Sequence, residues 1–399
     1  FSCGKFNIYH TKTRRAKQIN QSFMEAPFVF GKTARFDEFT DRETQTERLI
    51  TNFNSGTNTI LISPRRWGKT SLVLHTASSY EKRYKSNRVV IVDLNNIRSE
   101  QEFYEKYVNQ IMRSVSTKIT EFTENAKTFL SRFIPRISYS PDRQNEISVG
   151  LDWEAAGQDA DEIINLPQKI AAKKGIRIIV CLDEFQNIMV FDNPLAFQKK
   201  LRSHWQNHSR VTYCLYGSRR GLMTELFTHS SMPFYKFGDL MFLEKIEEKQ
   251  WVRFFIKRFK DTGKKINAAD AALIAQKVEN HPFYAQQLAQ LTWLRTKKTA
   301  NTQIVNQAAE SLLDQLSYLF QNLADSLPSS QLGFLQAIIG NETKFTSGAV
   351  ISRYKLTSSA HVAKIKKALI NKDLIDYHNR QYNLNDPMFK LWLKTRYFV

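Results

Sequence analysis

Cysteine, glycine and long apolar runs are all scarce in this chain of 399 residues. The three cysteines, Cys3, Cys181 and Cys214, are too few and too scattered for a disulfide framework. Two of them fall in apolar stretches, the pattern of reduced thiols, which predicts a cytoplasmic protein. No apolar run approaches the roughly 20 residues that a membrane helix needs, so no membrane partner is expected. The eight histidines are dispersed and form no cluster with metal-ligand spacing. Acidic residues are outnumbered: 58 Lys and Arg against 38 Asp and Glu leave a net charge of +20. Such a balance favours nucleic acid or another polyanion as partner, an argument about affinity and not about function. Residues 1–23 hold five basic residues and no acidic one, and they precede Met24. The expectation is a native start at Met24, with a basic leader or upstream translation before it.

The most informative stretch is Ile60-Leu61-Ile62-Ser63-Pro64-Arg65-Arg66-Trp67-Gly68-Lys69-Thr70-Ser71-Leu72. An apolar β-type run ends in a short turn, and Gly-Lys-Thr opens a helical pattern. That is the layout of a phosphate-binding loop, in which backbone N–H groups and a helix N-terminus face the phosphates. Lys69 is placed to reach the β- and γ-phosphates and Thr70 to ligate Mg²⁺. Ser63 stands where the pattern wants glycine. The bare triplet turns up by chance roughly once in five chains of this length, so strand before and helix after carry the weight.

A second element completes the reading. Ile178-Ile179-Val180-Cys181-Leu182-Asp183-Glu184 is a continuous apolar run, typical of a strand buried on both faces of a parallel sheet, closed by two carboxylates. At the C-terminal end of such a strand, Asp183 would hold Mg²⁺ through its water shell and Glu184 would polarise the attacking water. Further runs at 88–94, 211–218 and 240–243 alternate with helical patterns, which predicts a doubly wound parallel sheet. The segment 120–155, around Phe133-Ile134-Pro135-Arg136, reads as an irregular insertion. The α/β signal stops near 247. Apolar spacing over 248–326 fits a bundle of helices forming a lid. After Leu327-Pro328-Ser329-Ser330, residues 327–399 read as three helices and a hairpin, a winged helix-turn-helix. This module carries 11 Lys and Arg against 4 Asp and Glu. Ser359, His361, Lys364 and Lys367 on its third helix, with Arg380 in the hairpin turn, suit a groove-reading face. The competing expectation is a solvated basic surface on a module that contacts protein. Asn371-Lys372-Asp373-Leu374 does not make a guanine-reading motif, because Leu374 fills the carboxylate position.

Taken in order, these motifs resemble the prokaryotic (archaeal and bacterial) P-loop ATPases of the AAA+/STAND-like group. That resemblance covers roughly 25–399. Phe39-Thr40-Asp41-Arg42-Glu43 is similar to the family's N-terminal box near the nucleotide base, and Pro64–Ser71 to its phosphate loop. Leu182-Asp183-Glu184-Phe185-Gln186 is similar to its acidic strand, and Gly217-Ser218 to the sensor end of the fourth strand. His281-Pro282-Phe283-Tyr284 resembles the lid motif, and Asn385-Asp386-Pro387-Met388-Phe389 with Trp392 the end of the winged helix. The resemblance implies ATP and Mg²⁺ as ligands. It implies catalytic roles for Lys69, Glu184 and Ser218, nucleotide contacts from Arg42, Ser63 to Ser71, His281 and Pro282, and metal contacts from Thr70 and Asp183. It also implies nucleic acid as a partner through the winged helix, with a protein partner or self-association as the rival. The family's Pro-Leu-Tyr-Gly-Arg stretch is here Pro233-Phe234-Tyr235-Lys236-Phe237-Gly238-Asp239. The arginine that would serve as a finger is replaced, and Arg219 and Arg220 are the candidate substitutes. A nucleotide-operated switch or adaptor with little turnover is therefore the alternative function.

Overall fold

The computed structural model describes residues 26–32, 40–130, 136–140, 146–150, 160–378 and 380–399. The basic stretch 1–23 and Phe39 lie outside the described residues, as do Phe133, Ile134 and Pro135. The described strands are β1 (Thr59–Ile62), β2 (Arg88–Asp93), β3 (Arg136–Ser140), β4 (Glu146–Gly150), β5 (Ile178–Asp183), β6 (Val211–Gly217), β7 (Asp239–Phe242), β8 (Ile375–His378) and β9 (Gln381–Leu384). Five of them form one parallel sheet in the order β2-β5-β6-β1-β7.

The sheet is apolar on both faces because both are covered. In β5, Ile178, Val180 and Leu182 join one core, while Ile179 and Cys181 join the other. The helices Glu43–Ser55 and Lys69–Arg83 close the second face with Leu49, Phe53, Leu72 and Tyr80. The first face is closed by Glu100–Val115, Leu166–Lys174, Pro194–Trp205 and Arg220–Thr228. Trp205 anchors that side, its ring stacked 4.2 Å from Tyr213 of β6. Two buried faces explain the continuous apolar runs that alternation alone would not predict.

The stretch expected to be an irregular insertion is ordered where it is described. Ile119–Phe129 is a helix burying Phe122, Asn125 and Ala126, and β3 and β4 form an antiparallel hairpin. The Asn109 side chain clips β4 to the neighbouring helix: Val149 N–H donates to Oδ1 at 2.8 Å and Nδ2 donates to the Val149 carbonyl at 2.9 Å. A polar side chain reaching across 40 residues leaves no periodic trace in sequence.

Beyond β7 the chain is helical: Glu248–Asp261, Ala268–Lys277, Pro282–Arg295 and Thr302–Asp325. The winged-helix elements follow as Ser329–Ile339, Gly348–Arg353 and Ser359–Asn371, then β8 and β9. Ser358 caps the third of these helices, accepting from His361 N–H at 3.2 Å. A further helix, Pro387–Trp392, and a terminal π turn, Leu393–Tyr397, were not foreseen as elements. Asp386 caps the former, its Oδ1 accepting from Met388 and Phe389 N–H. Lid and winged helix share one continuous apolar core, with Phe320 of the lid's last helix 5.3 Å from Phe389 and 6.1 Å from Trp392. Among the described residues, no helix is long and apolar enough to cross a membrane.

Candidate functional site

Because β5, β6 and β1 are neighbours and parallel, their C-terminal ends open on the same edge of the sheet. They deliver Asp183 and Glu184, Gly217 and Ser218, and the loop Ser63–Gly68, respectively. Open α/β sheets bind ligands at this edge. The loop turns through two left-handed residues, Arg66 at φ 64° and Gly68 at φ 87°. Ser63 does not have a positive φ, so its backbone places no demand for glycine there. Gly68 leads into the helix Lys69–Arg83, whose first N–H groups are the anion-binding end.

Six side chains meet at that edge. Lys69 Nζ donates to Glu184 Oε1 at 3.0 Å and stands 4.0 Å from Asp183 Oδ1. Thr70 Oγ1 donates to Asp183 Oδ2 at 2.8 Å. Ser218 donates to Glu184 Oε2 twice, from its hydroxyl at 2.7 Å and its N–H at 3.1 Å. Gln186 Nε2 donates to the same oxygen at 2.6 Å. Burial pushes the Glu184 carboxyl up, but the Lys69 charge and the donors from Gln186, Ser218 and Lys69 outweigh it and hold it at about 2. Asp183 goes the other way: burial raises it, and Lys69 and Thr70 only partly offset that. Glu184 itself sits in the left-handed region at φ 51°, a strained conformation for a non-glycine residue at a site.

A cavity of about 580 Å³ runs from Lys69 and Thr70 to the lid, and Asp183, Glu184 and Ser218 are not part of its lining. Arg42, Arg66, Trp67, Gly68, Lys69, Thr70, Ser71 and Pro282 line it, together with Val29 and Gln286. Arg42 is buried, which lowers its guanidinium to about 10 while Asp41 and Glu244 pull upward. The loop also grips the lid: Arg66 lies 4.8 Å over the Phe283 ring and Trp67 meets His281 edge-on at 6.5 Å.

Some expected contacts fall elsewhere. Ser63 is buried, its hydroxyl donating to the Pro64 carbonyl, and Pro64 lines a separate cavity of about 440 Å³ beside the winged helix. Arg65 also faces that module, 3.7 Å from Asp373. His281 lies behind the cavity wall and packs on Tyr284; burial, with Lys245 and Arg66 nearby, lowers it to about 3. Asp239 is held by Arg48 Nε and Asn52 Nδ2, both at 2.8 Å. Arg220 is bound to Asp376 of β8 at 2.6 Å.

On the winged helix, Ser359, Lys364, Lys367 and Arg380 are exposed. His361 is half-buried, its Nε2 3.3 Å from the Ser330 hydroxyl. Sequence reasoning missed Gln186, the segment at Val29 whose N–H donates to Gln286 Oε1 at 3.3 Å, and the acids Asp373 and Asp376. The only available signal for the last two was a carboxylate kept in a strongly basic module.

Residues 39–276 match the family described as "ATPase domain predominantly from Archaea". The chain belongs to that family. Residues 318–395 match a second family, "Probable winged helix domain", whose start falls inside the lid helix Thr302–Asp325. Among solved structures this archaeal-type ATPase is similar to a Walker-type ATPase of Pyrococcus abyssi, with 15% identity, TM-score 0.65, and coverage of 92% of this chain and 99% of the other. It is also similar to the ORC2 protein of Aeropyrum pernix in its ADPNP–ADP complexes, with 14% identity, TM-score 0.56, and coverage of 90% and 94%. At such identities the likeness concerns the fold. No sequence among curated proteins matches the chain.

Proposed function

We propose that this ATPase-family protein binds Mg²⁺-ATP in the cavity beneath the lid, hydrolyses it slowly, and couples nucleotide state to nucleic-acid binding through its winged helix. One observation carries the reading: Lys69, Thr70, Asp183, Glu184 and Ser218 converge at the ends of three adjacent parallel strands, and Lys69 and Thr70 of this cluster line the 580 Å³ cavity. Lys69 and the loop N–H groups would bind the phosphates. Thr70 and Asp183 offer hard oxygens suited to Mg²⁺. Among the described residues, no three His, Cys, Asp or Glu side chains are grouped to hold a metal. Two protein oxygens fit a Mg²⁺ ion that arrives with the phosphates. When bound, that ion neutralises charge developing on the β- and γ-phosphates. Glu184 would accept the proton of the attacking water, with Ser218 holding its second oxygen.

Turnover is therefore expected to fall to background when EDTA replaces Mg²⁺. Asp183→Asn should raise the Mg²⁺ concentration for half-maximal rate by on the order of 10- to 100-fold. Turnover indifferent to EDTA would reject the reading. The lid contacts at Phe283 and His281 further predict that Mg²⁺-ATP protects amides of 281–290 and 39–43 from hydrogen exchange, together with the loop 63–71. A ligand can close the lid only through contacts that differ between open and closed forms. Protection confined to 63–71 would leave a bound nucleotide with no lid response.

The second reading, a switch that binds ATP and barely turns it over, is favoured by Asp239 standing where the family carries arginine. Single-turnover rates with and without double-stranded DNA, single-stranded DNA and RNA separate the two readings.

A further inference from the structure

The two oxygens of Glu184 are held very unequally. Among the described residues Oε2 accepts three hydrogen bonds, two from Ser218 and one from Gln186, whereas Oε1 accepts one, from Lys69. Gln186 is the second residue of the 3-10 helix Phe185–Val190 that follows β5 and is only 2% exposed. Its own amide oxygen is buried and has no hydrogen-bond partner among the described residues. That oxygen occupies space left by the missing side chain of Gly217: a Cβ there would lie 1.9 Å from Gln186 Oε1 and 2.8 Å from the Met223 sulfur.

This arrangement costs stability on two counts. An unpaired buried carbonyl is destabilising, and a glycine at the end of a buried strand gives up packing. A methionine at 186 would fill a similar volume with no unpaired oxygen. What the glutamine does that methionine cannot is donate to Glu184. Local rules broken at a cost, without a structural return, are expected at functional positions.

We propose that Gln186 is a positioning residue for ATP hydrolysis: with Ser218 it pins Oε2 of Glu184, so that Oε1 is the oxygen presented to water, and Gly217 is the residue that gives it room. The proposal rests on Glu184 being the base. In the structure Lys69 covers Oε1. Once Lys69 turns to the phosphates, Oε1 is open. The water oxygen then bonds to the γ-phosphorus, its proton passes to Oε1, and the bridging P–O bond breaks with its electrons left on the ADP oxygen.

The test compares Gln186→Met, Gly217→Ala and Glu184→Gln in the full chain. Gln186→Met is expected to slow single-turnover hydrolysis by on the order of 10²-fold, the loss typical of a misaimed catalytic group, with the ATP dissociation constant unchanged and the melting temperature equal or higher. A scaffold role would lower the melting temperature and leave the rate alone, and that result overturns the proposal. Gly217→Ala should slow hydrolysis in the natural background and add little in a Gln186→Ala background, where only the flexible Met223 side chain still has to shift, since its effect runs mainly through the displaced glutamine. Independent effects of the two substitutions would also overturn it. Hydrolysis retained in Glu184→Gln rejects the base assignment itself, and the proposal with it. Hydrolysis lost there but retained in Gln186→Met and Gln186→Ala rejects Gln186 alone.

Discussion

Glu184→Gln is expected to hold ATP at least as tightly as the natural protein while losing turnover by about 10²- to 10⁴-fold, the range that a positioned general base contributes. The reason for unreduced affinity lies in the ion pair that Lys69 makes. Lys69 is 3.0 Å from Glu184 Oε1 and largely buried, so ATP must draw it out of an ion pair. The amide of glutamine releases that lysine. Asp183, at 4.0 Å, is then its nearer charge, and the competition with phosphate weakens. Lys69→Ala should do the reverse and abolish binding, because the cation itself is gone. Equilibrium binding of a fluorescent ATP analogue, paired with single-turnover hydrolysis, checks both. A Glu184→Gln protein with natural turnover would remove Glu184 from the mechanism; one that fails to bind ATP would show that the carboxylate serves the nucleotide rather than the water.

The second large effect concerns nucleic acid. Lys364, Lys367 and Arg380 are exposed on the third helix and wing of a module whose other face is buried in the lid. Replacing all three with glutamate should weaken binding to duplex DNA by on the order of 10²-fold near physiological salt. The slope of log affinity against log salt should fall by about 3, nearly one unit for each phosphate contact removed. Fluorescence anisotropy over a salt series measures both. An unchanged slope would move the interface off this helix and favour a protein partner. His361, turned toward Ser330, should be silent in the same assay.

Much of the cluster at the strand ends was legible because its residues lie in contiguous motifs with a local cause: Gly68-Lys69-Thr70 at a helix start, Asp183-Glu184 at a strand end. The sheet was legible because burial on both faces leaves uninterrupted apolar runs such as Ile178–Leu182. What escaped depends on contacts distant in sequence. Gln186 matters through a strand end 31 positions away at Gly217. Val29 reaches Gln286 across 257 positions. The facing of Arg65 toward Asp373 and Arg66 toward Phe283 is set by one backbone twist at Arg66, which the residue name does not disclose. The division placed at 327 follows a Leu-Pro turn that exists, yet no break in the apolar core accompanies it.

That unbroken core has a mechanical consequence. Residues from the lid's first helix to Leu393 are packed as one body. The body rests on the phosphate loop at adjacent points: Arg66 and Trp67 touch the lid, and Arg65 touches the winged helix. With ATP bound as proposed, such a body would act as a lever with its fulcrum at the phosphate loop. A shift of the loop by a fraction of an ångström, as Lys69 leaves Glu184 for a phosphate, would be felt near the fulcrum as a slight tilt. At the far tip of Ser359–Asn371 the same tilt becomes a displacement magnified by the length of the arm. Arg220, tied to Asp376 at 2.6 Å, is the catch that such a stroke must slip.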